Sequence, residues 1–241
     1  MTPLPLDHSQ VDLLFSALTP AEPSSQTRSL LFTAPEGWSG TSSVAWTFAQ
    51  RAALAGHRVV YLDLATIAPF SERVLGLERQ PWPEAQTGLE QVRIQVRANL
   101  SIVAARRADA PPEIAGDDLR AVARLIEFCS SDTDLIVCDA PAVTMGRHGG
   151  MLPTHAIAPL VDGIVLVVLA GGSSEQRVAG AAERLRAAGG EIVGTVLNER
   201  DMETPLAGLA RRWRGAVERW PLIARLAGRS RFDRPPGLAG G

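Results

Sequence analysis

The 241 residues carry a formal charge of −2, with 46% hydrophobic and 21% charged side chains. That balance excludes a disordered chain and gives no global attraction to nucleic acid; the length suits one sizeable domain with an appended element. The basic residues are all arginine, with no lysine anywhere.

The opening MTPLPLDHSQ has no basic stretch followed by an apolar core, so no signal peptide is expected. Residues 1–27 read as a short helix, SQVDLLFSAL, and a linker. The apolar run at 29–32 leads into TAPEGWSGTSS at 33–43, and a helical pattern follows over 44–55. Strand, glycine-containing loop and helix in that order is the setting of a phosphate-binding loop. VVYLD at 59–63 and LIVCD at 135–139 are apolar runs that each close on a carboxylate, and GIVLVVLA at 163–170 and IVGTVL at 192–197 are two more. Unbroken runs of this kind belong to strands buried on both faces, hence to a parallel sheet. Helical patterns at 117–129 and 174–188 alternate with them, the second opening on a serine cap and stopping at glycines. The expected fold is therefore a doubly wound α/β sheet, mostly parallel and flanked by helices, over 28–200. The 76–116 stretch reads as irregular, with one strand at 100–103.

The longest apolar run, IVLVVLA, is far too short to span a bilayer. Cys129 and Cys138 match no metal spacing and read as buried, reduced thiols. His8, His57, His148 and His155 share no metal spacing either, and surface positions are expected for each. Beyond the core, Leu206, Leu209, Trp213, Val217 and Trp220 recur at helical spacing, with arginines on the other face. This basic amphipathic helix, 201–228, packs on the sheet or a partner, or lies on an anionic membrane surface through 206–228. The tail 229–241 reads as disordered.

In RSLLFTAPEGWSGTSS, HRVVYLDLA, DLIVCDAPAV and LVDGIVLVVLAGGSS…AAGGEIVGTVLNERD, the chain resembles the cytoplasmic module of bacterial tyrosine kinases. These are the CpsD/CapB-type proteins and the matching half of Wzc-like co-polymerases, within the wider MinD/ParA-like group of deviant P-loop NTPases. The resemblance spans roughly residues 9 to 200. It implies a nucleotide site built from Gly37, Gly40, Thr41, Ser42 and Ser43, with Asn198 beside the adenine or, on its residue type alone, in a turn. Asp139 matches the Walker B aspartate. If Mg²⁺ is retained, Ser42, Asp63 and Asp139 would hold it; the alternative is that each aspartate caps a strand end and bonds nearby loop amides.

The chain departs from the family pattern where the chemistry is done. Thr41 stands at the loop lysine, Glu36 at the second lysine, Ala65 at the second acid after Asp63, and Thr154-His155-Ala156 covers a later aspartate. Ser9, Asp12 and Phe15 replace a Glu…Arg…Arg assembly motif, and the single tyrosine, Tyr61, lies in an expected buried strand rather than in a tyrosine tail. The Trp38 indole could fill the phosphate space. The expectation is a catalytically inactive accessory of an inner-membrane polysaccharide co-polymerase, with no catalytic residue and no cofactor. It would be cytoplasmic, peripheral at the inner membrane through that partner, and would bind no nucleic acid. The alternative is a divergent ATPase or kinase that keeps ATP or ADP with Mg²⁺; a third reading is a MinD-like positioning protein. Oligomeric state is left open.

Overall fold

The computed structural model describes residues 8–19, 26–65, 68–79, 82, 89–105, 115–145 and 152–199. The chain divides into two units, Met1–Arg200 and Asp201–Gly241, and every described residue belongs to the first. The expected helix at 206–228, the tail at 229–241 and His148 lie outside the described residues.

In chain order the elements are α1 (His8–Leu18), β1 (Arg28–Thr33), α2 (Thr41–Leu54), β2 (Val59–Asp63), α3 (Phe70–Leu75), α4 (Leu89–Val92), β3 (Arg93–Arg97), β4 (Leu100–Val103), α5 (Ala115–Ser130), β5 (Leu135–Asp139), α6 (Thr154–Ile157), β6 (Gly163–Leu169), α7 (Glu175–Ala187) and β7 (Ile192–Asn198). The strands form one seven-stranded sheet in the order β3-β4-β2-β5-β1-β6-β7. All neighbours are parallel except β3, which runs antiparallel to β4 at the edge. The doubly wound, mostly parallel sheet expected from the apolar runs is what the chain forms.

Each central strand is buried on both faces, and alternate residues supply two separate cores. Leu31, Val60, Leu62, Ile136, Cys138 and Leu166 face α5, α6 and α7. Leu30, Phe32, Tyr61, Leu135, Val137 and Val165 face α1 and α2, where Trp46 and Phe48 fill the space. Burial on this scale, about 25 cal/mol per Å² of apolar surface removed from water, is the main favourable contribution to the fold. Both cysteines are buried and free, as expected.

The VDG sequence that opens β6 has a mechanical reason. Asp162 Oδ2 accepts from the Ser29 amide and hydroxyl, both at 2.7 Å, which ties the start of β6 to the start of β1. A Cβ on Gly163 would meet the Val193 methyls at 2.8 Å, so only glycine lets β7 approach.

Three local expectations need correction. Residues 93–97, read as irregular, form the edge strand β3; its RIQVR is charged and half-exposed, so it carries no apolar run to read. The helix after the loop begins at Thr41 rather than 44, because the loop itself turns into the first helical turn. His57, expected at the surface, is buried at 8% exposure and sits edge-on to the Phe15 ring, 5.6 Å away. The docking of α1 onto α2 covers it, and no local pattern around His57 announces that contact.

Candidate nucleotide-binding site

The parallel register decides which side chains meet. Asp63 and Asp139 end β2 and β5 and are direct partners across the strands. Tyr61 precedes Asp63 by two residues and therefore shares its face, the one toward α2. The loop from Ala34 to Gly40 leaves the carboxyl end of β1, adjacent to β5, and Gly40 caps α2 in the left-handed conformation with φ 78°. Ligands of open α/β sheets bind at these strand ends, and a helix N-terminus there offers amides to an anion. Loop, Ser42, Asp63 and Asp139 are thus brought together as the sequence suggests.

The carboxylates already have partners. Asp139 Oδ2 accepts from the Tyr61 hydroxyl at 2.7 Å. Asp63 Oδ2 accepts from the Ser71 amide at 2.7 Å and hydroxyl at 2.6 Å, and Oδ1 accepts from the Ala65 amide at 3.2 Å. Asp63 thereby bonds loop amides and holds the start of α3. Asp139 instead bonds the Tyr61 side chain. Burial pushes the Asp139 carboxyl up to about 7, the neighbouring Asp63 adding to it while the Ser42 and Tyr61 bonds oppose. Burial likewise raises Asp63 against its Ser71 bonds, and raises the Tyr61 phenol, with Asp139 reinforcing it.

The loop is tied down on both flanks. On one side the Val143 amide donates to the Ala34 carbonyl at 2.8 Å and Thr144 to Pro35 at 3.2 Å. On the other, the Asn198 side-chain amide donates to the Ser39 carbonyl at 2.8 Å, and Glu36 forms an ion pair with Arg177 of α7. Within the loop, Ser39 Oγ donates to the Glu36 carbonyl. Asn198, expected by the adenine or in a turn, ends β7 and grips the loop backbone. Thr154 donates to the Pro141 carbonyl at 2.6 Å, holding the segment after β5. His155 is exposed, as expected.

Trp38 is not folded into the phosphate space. Its indole is 88% exposed and its backbone sits at φ 68°, a conformation that costs a bulky L-residue of order 1–2 kcal/mol. Trp38→Gly is therefore expected to leave stability unchanged within about 1 kcal/mol, relief of backbone strain offsetting the freer unfolded chain. A urea-denaturation loss of several kcal/mol would show that the indole is held.

Sequence reasoning missed the Tyr61–Asp139 and Glu36–Arg177 contacts. The first had a signal: a tyrosine two residues before a strand-end aspartate must share its face. The second spans 141 positions and had none.

The sheet order, the loop after β1 and the paired strand-end aspartates define a P-loop NTPase fold of the MinD type. Among solved structures, the chain is similar to the Pyrococcus horikoshii septum site-determining protein MinD complexed with Mg-ADP, at TM-score 0.57 and 20% identity over 75% of this chain and 76% of that one. It is also similar to the kinase domain of the Escherichia coli tyrosine kinase Etk, at TM-score 0.64 and 20% identity over 82% of this chain and 76% of that one. The chimerical protein CapA2B2 matches at TM-score 0.61 and 19% identity over 82% of each chain. The fold is thus shared with bacterial tyrosine kinase domains as well as with MinD. No protein-family model matches the chain, and no curated protein matches its sequence.

Proposed function

We propose that this protein is a catalytically inactive counterpart of the bacterial tyrosine kinase module, acting as an accessory that regulates exopolysaccharide or capsule synthesis and export through an inner-membrane polysaccharide co-polymerase. The observation that carries this reading is Thr41 at the position of the loop lysine, in a chain with no lysine at all. Phosphoryl transfer rests on positioning and on neutralising charge at the β and γ phosphates. A threonine hydroxyl is short and uncharged, and loss of one preorganised donor to developing charge typically costs about 3–4 kcal/mol, or roughly 10²–10³ in rate. Glu36 adds a carboxylate where a second cation is expected, and Arg177 neutralises it from within the same chain. The likeness in fold to Etk and CapA2B2 supports the link to polysaccharide machinery. Among the described residues no helix is long and apolar enough to cross a membrane, which fits attachment through a partner.

A second reading, a divergent ATPase or kinase that retains nucleotide, is favoured by one observation: the MinD structure of this fold carries Mg-ADP. Calorimetric titration with ATP and ADP, with and without Mg²⁺, together with a phosphate-release assay, separates the two. The expected result is no hydrolysis above the uncatalysed background. Hydrolysis that disappears in Asp139→Ala would overturn the first reading and establish the second.

A further inference from the structure

We propose that the Tyr61 hydroxyl takes the place at Asp139 that a nucleotide-bound divalent cation would need, so that Tyr61 closes this site to metal. The inference deepens the reading of an inactive module and rests on it. It concerns the cation, whereas that reading concerns turnover.

Mg²⁺ demands near-ideal octahedral oxygen coordination at about 2.0–2.1 Å, from ligands free to turn toward it. The donor set here does not meet that demand. Asp139 is 1% exposed and holds the Tyr61 hydroxyl at 2.7 Å. A phenol pointing its proton at the carboxylate presents a positive end where the cation's own charge would have to sit. Asp63 is fully engaged in holding Ser71 and Ala65, and Ser71 Oγ in turn accepts from the Ala105 amide at 3.2 Å. Turning Asp63 toward a metal would release the start of α3. Ala65 contributes no oxygen from its side chain. Among the described residues, no group of three His, Cys, Asp or Glu side chains is placed to hold a metal.

Tyr61 has nowhere to go. It is fully buried, with the Trp46 ring edge-on at 5.2 Å and the Phe70 ring at 5.9 Å. Its backbone lies in a central strand between β4 and β5. Admitting a cation would mean expelling the phenol through that packing and burying its hydroxyl without a partner, a loss the metal's few remaining ligands do not offset.

Tyr61 is the only tyrosine, so the full chain labelled with ¹³C at the tyrosine Cζ gives one resonance for this contact. Titration with Mn²⁺, with and without ADP, is expected to leave that resonance unshifted and unbroadened. In calorimetry Tyr61→Phe, which keeps the ring and removes only the hydroxyl, is expected to bind one Mn²⁺ at least about tenfold more tightly than the parent, and Asp139→Asn added to it to abolish the gain. Paramagnetic broadening of the parent resonance that Asp139→Asn removes would overturn the proposal. So would a Tyr61→Phe protein that binds Mn²⁺ no better than the parent. Should Tyr61→Phe fail to fold, the parent resonance alone decides. Neither readout depends on hydrolysis, so failure here is distinct from failure of the inactive-module reading.

Discussion

Asp139→Asn is expected to stabilise the protein at pH 8 by about 2–4 kcal/mol and to leave it unchanged near pH 4. The sign follows from proton linkage. Burial holds the Asp139 carboxyl up at about 7, against 3.8 for an ordinary aspartate. Between those values the native state keeps a proton that the unfolded chain has released. Stability therefore falls as pH rises through that window, by about 1.4 kcal/mol per unit at most. Below about pH 4 both states are protonated and the group contributes nothing to the slope. The groups that act on it are Asp63, which repels its charge, Arg73, which attracts it, and the Ser42 and Tyr61 donors. Asparagine cannot ionise and still offers an oxygen to the Tyr61 hydroxyl, so the variant should lose the slope while keeping the fold. Urea denaturation of parent and variant at a series of pH values between 4 and 8 is the measurement. A parent-to-variant difference that stays constant between pH 5 and pH 8 would mean that Asp139 is not held protonated by its burial.

Trp46→Ala is expected to cost about 3–5 kcal/mol, a large fraction of the stability of a domain this size. Trp46 lies on α2 and is 9% exposed. Its ring contacts Tyr61 at 5.2 Å, nearly perpendicular, and Phe70 at 5.6 Å. The Tyr61 contact is edge-to-face, a pairing that contributes about 0.5–1.5 kcal/mol beyond the area it buries, while the Phe70 ring is tilted at 42°. Truncation leaves a cavity against the central sheet that a helix anchored by the loop at its start cannot easily collapse. Trp46→Phe should recover much of the loss by refilling that space. A loss below about 1 kcal/mol for the alanine variant would show that α2 moves in to close the gap, and that the phenol is not confined as the ring contacts indicate.

The chain's own pattern was enough to set the class of fold. β2, β5 and β6 are unbroken apolar runs because central parallel strands are covered on both faces, and that requirement is written residue by residue. α7 was legible for a local reason too: Ser174 accepts from the Arg177 amide and starts the helix. The absence of lysine and the substitution at Thr41 needed no structure at all. The edge strand β3 escaped notice because one face of an edge strand is open to solvent, and charge there is no defect.

What only the tertiary structure decided is how the strand-end groups are occupied. Register places Asp139 opposite Asp63, and with it the Tyr61 hydroxyl, but the bond exists because the Trp46 and Phe70 rings leave the phenol one direction to point. Glu36 meets Arg177, and Asn198 meets the Ser39 carbonyl, across 141 and 159 positions of chain. The exposure of Trp38 and the burial of His57 depend likewise on how neighbouring segments pack. Local patterns record what a residue needs from its own strand or helix; which distant partner satisfies a polar group is settled when the sheet brings the ends of β1, β2, β5 and β7 to the same edge.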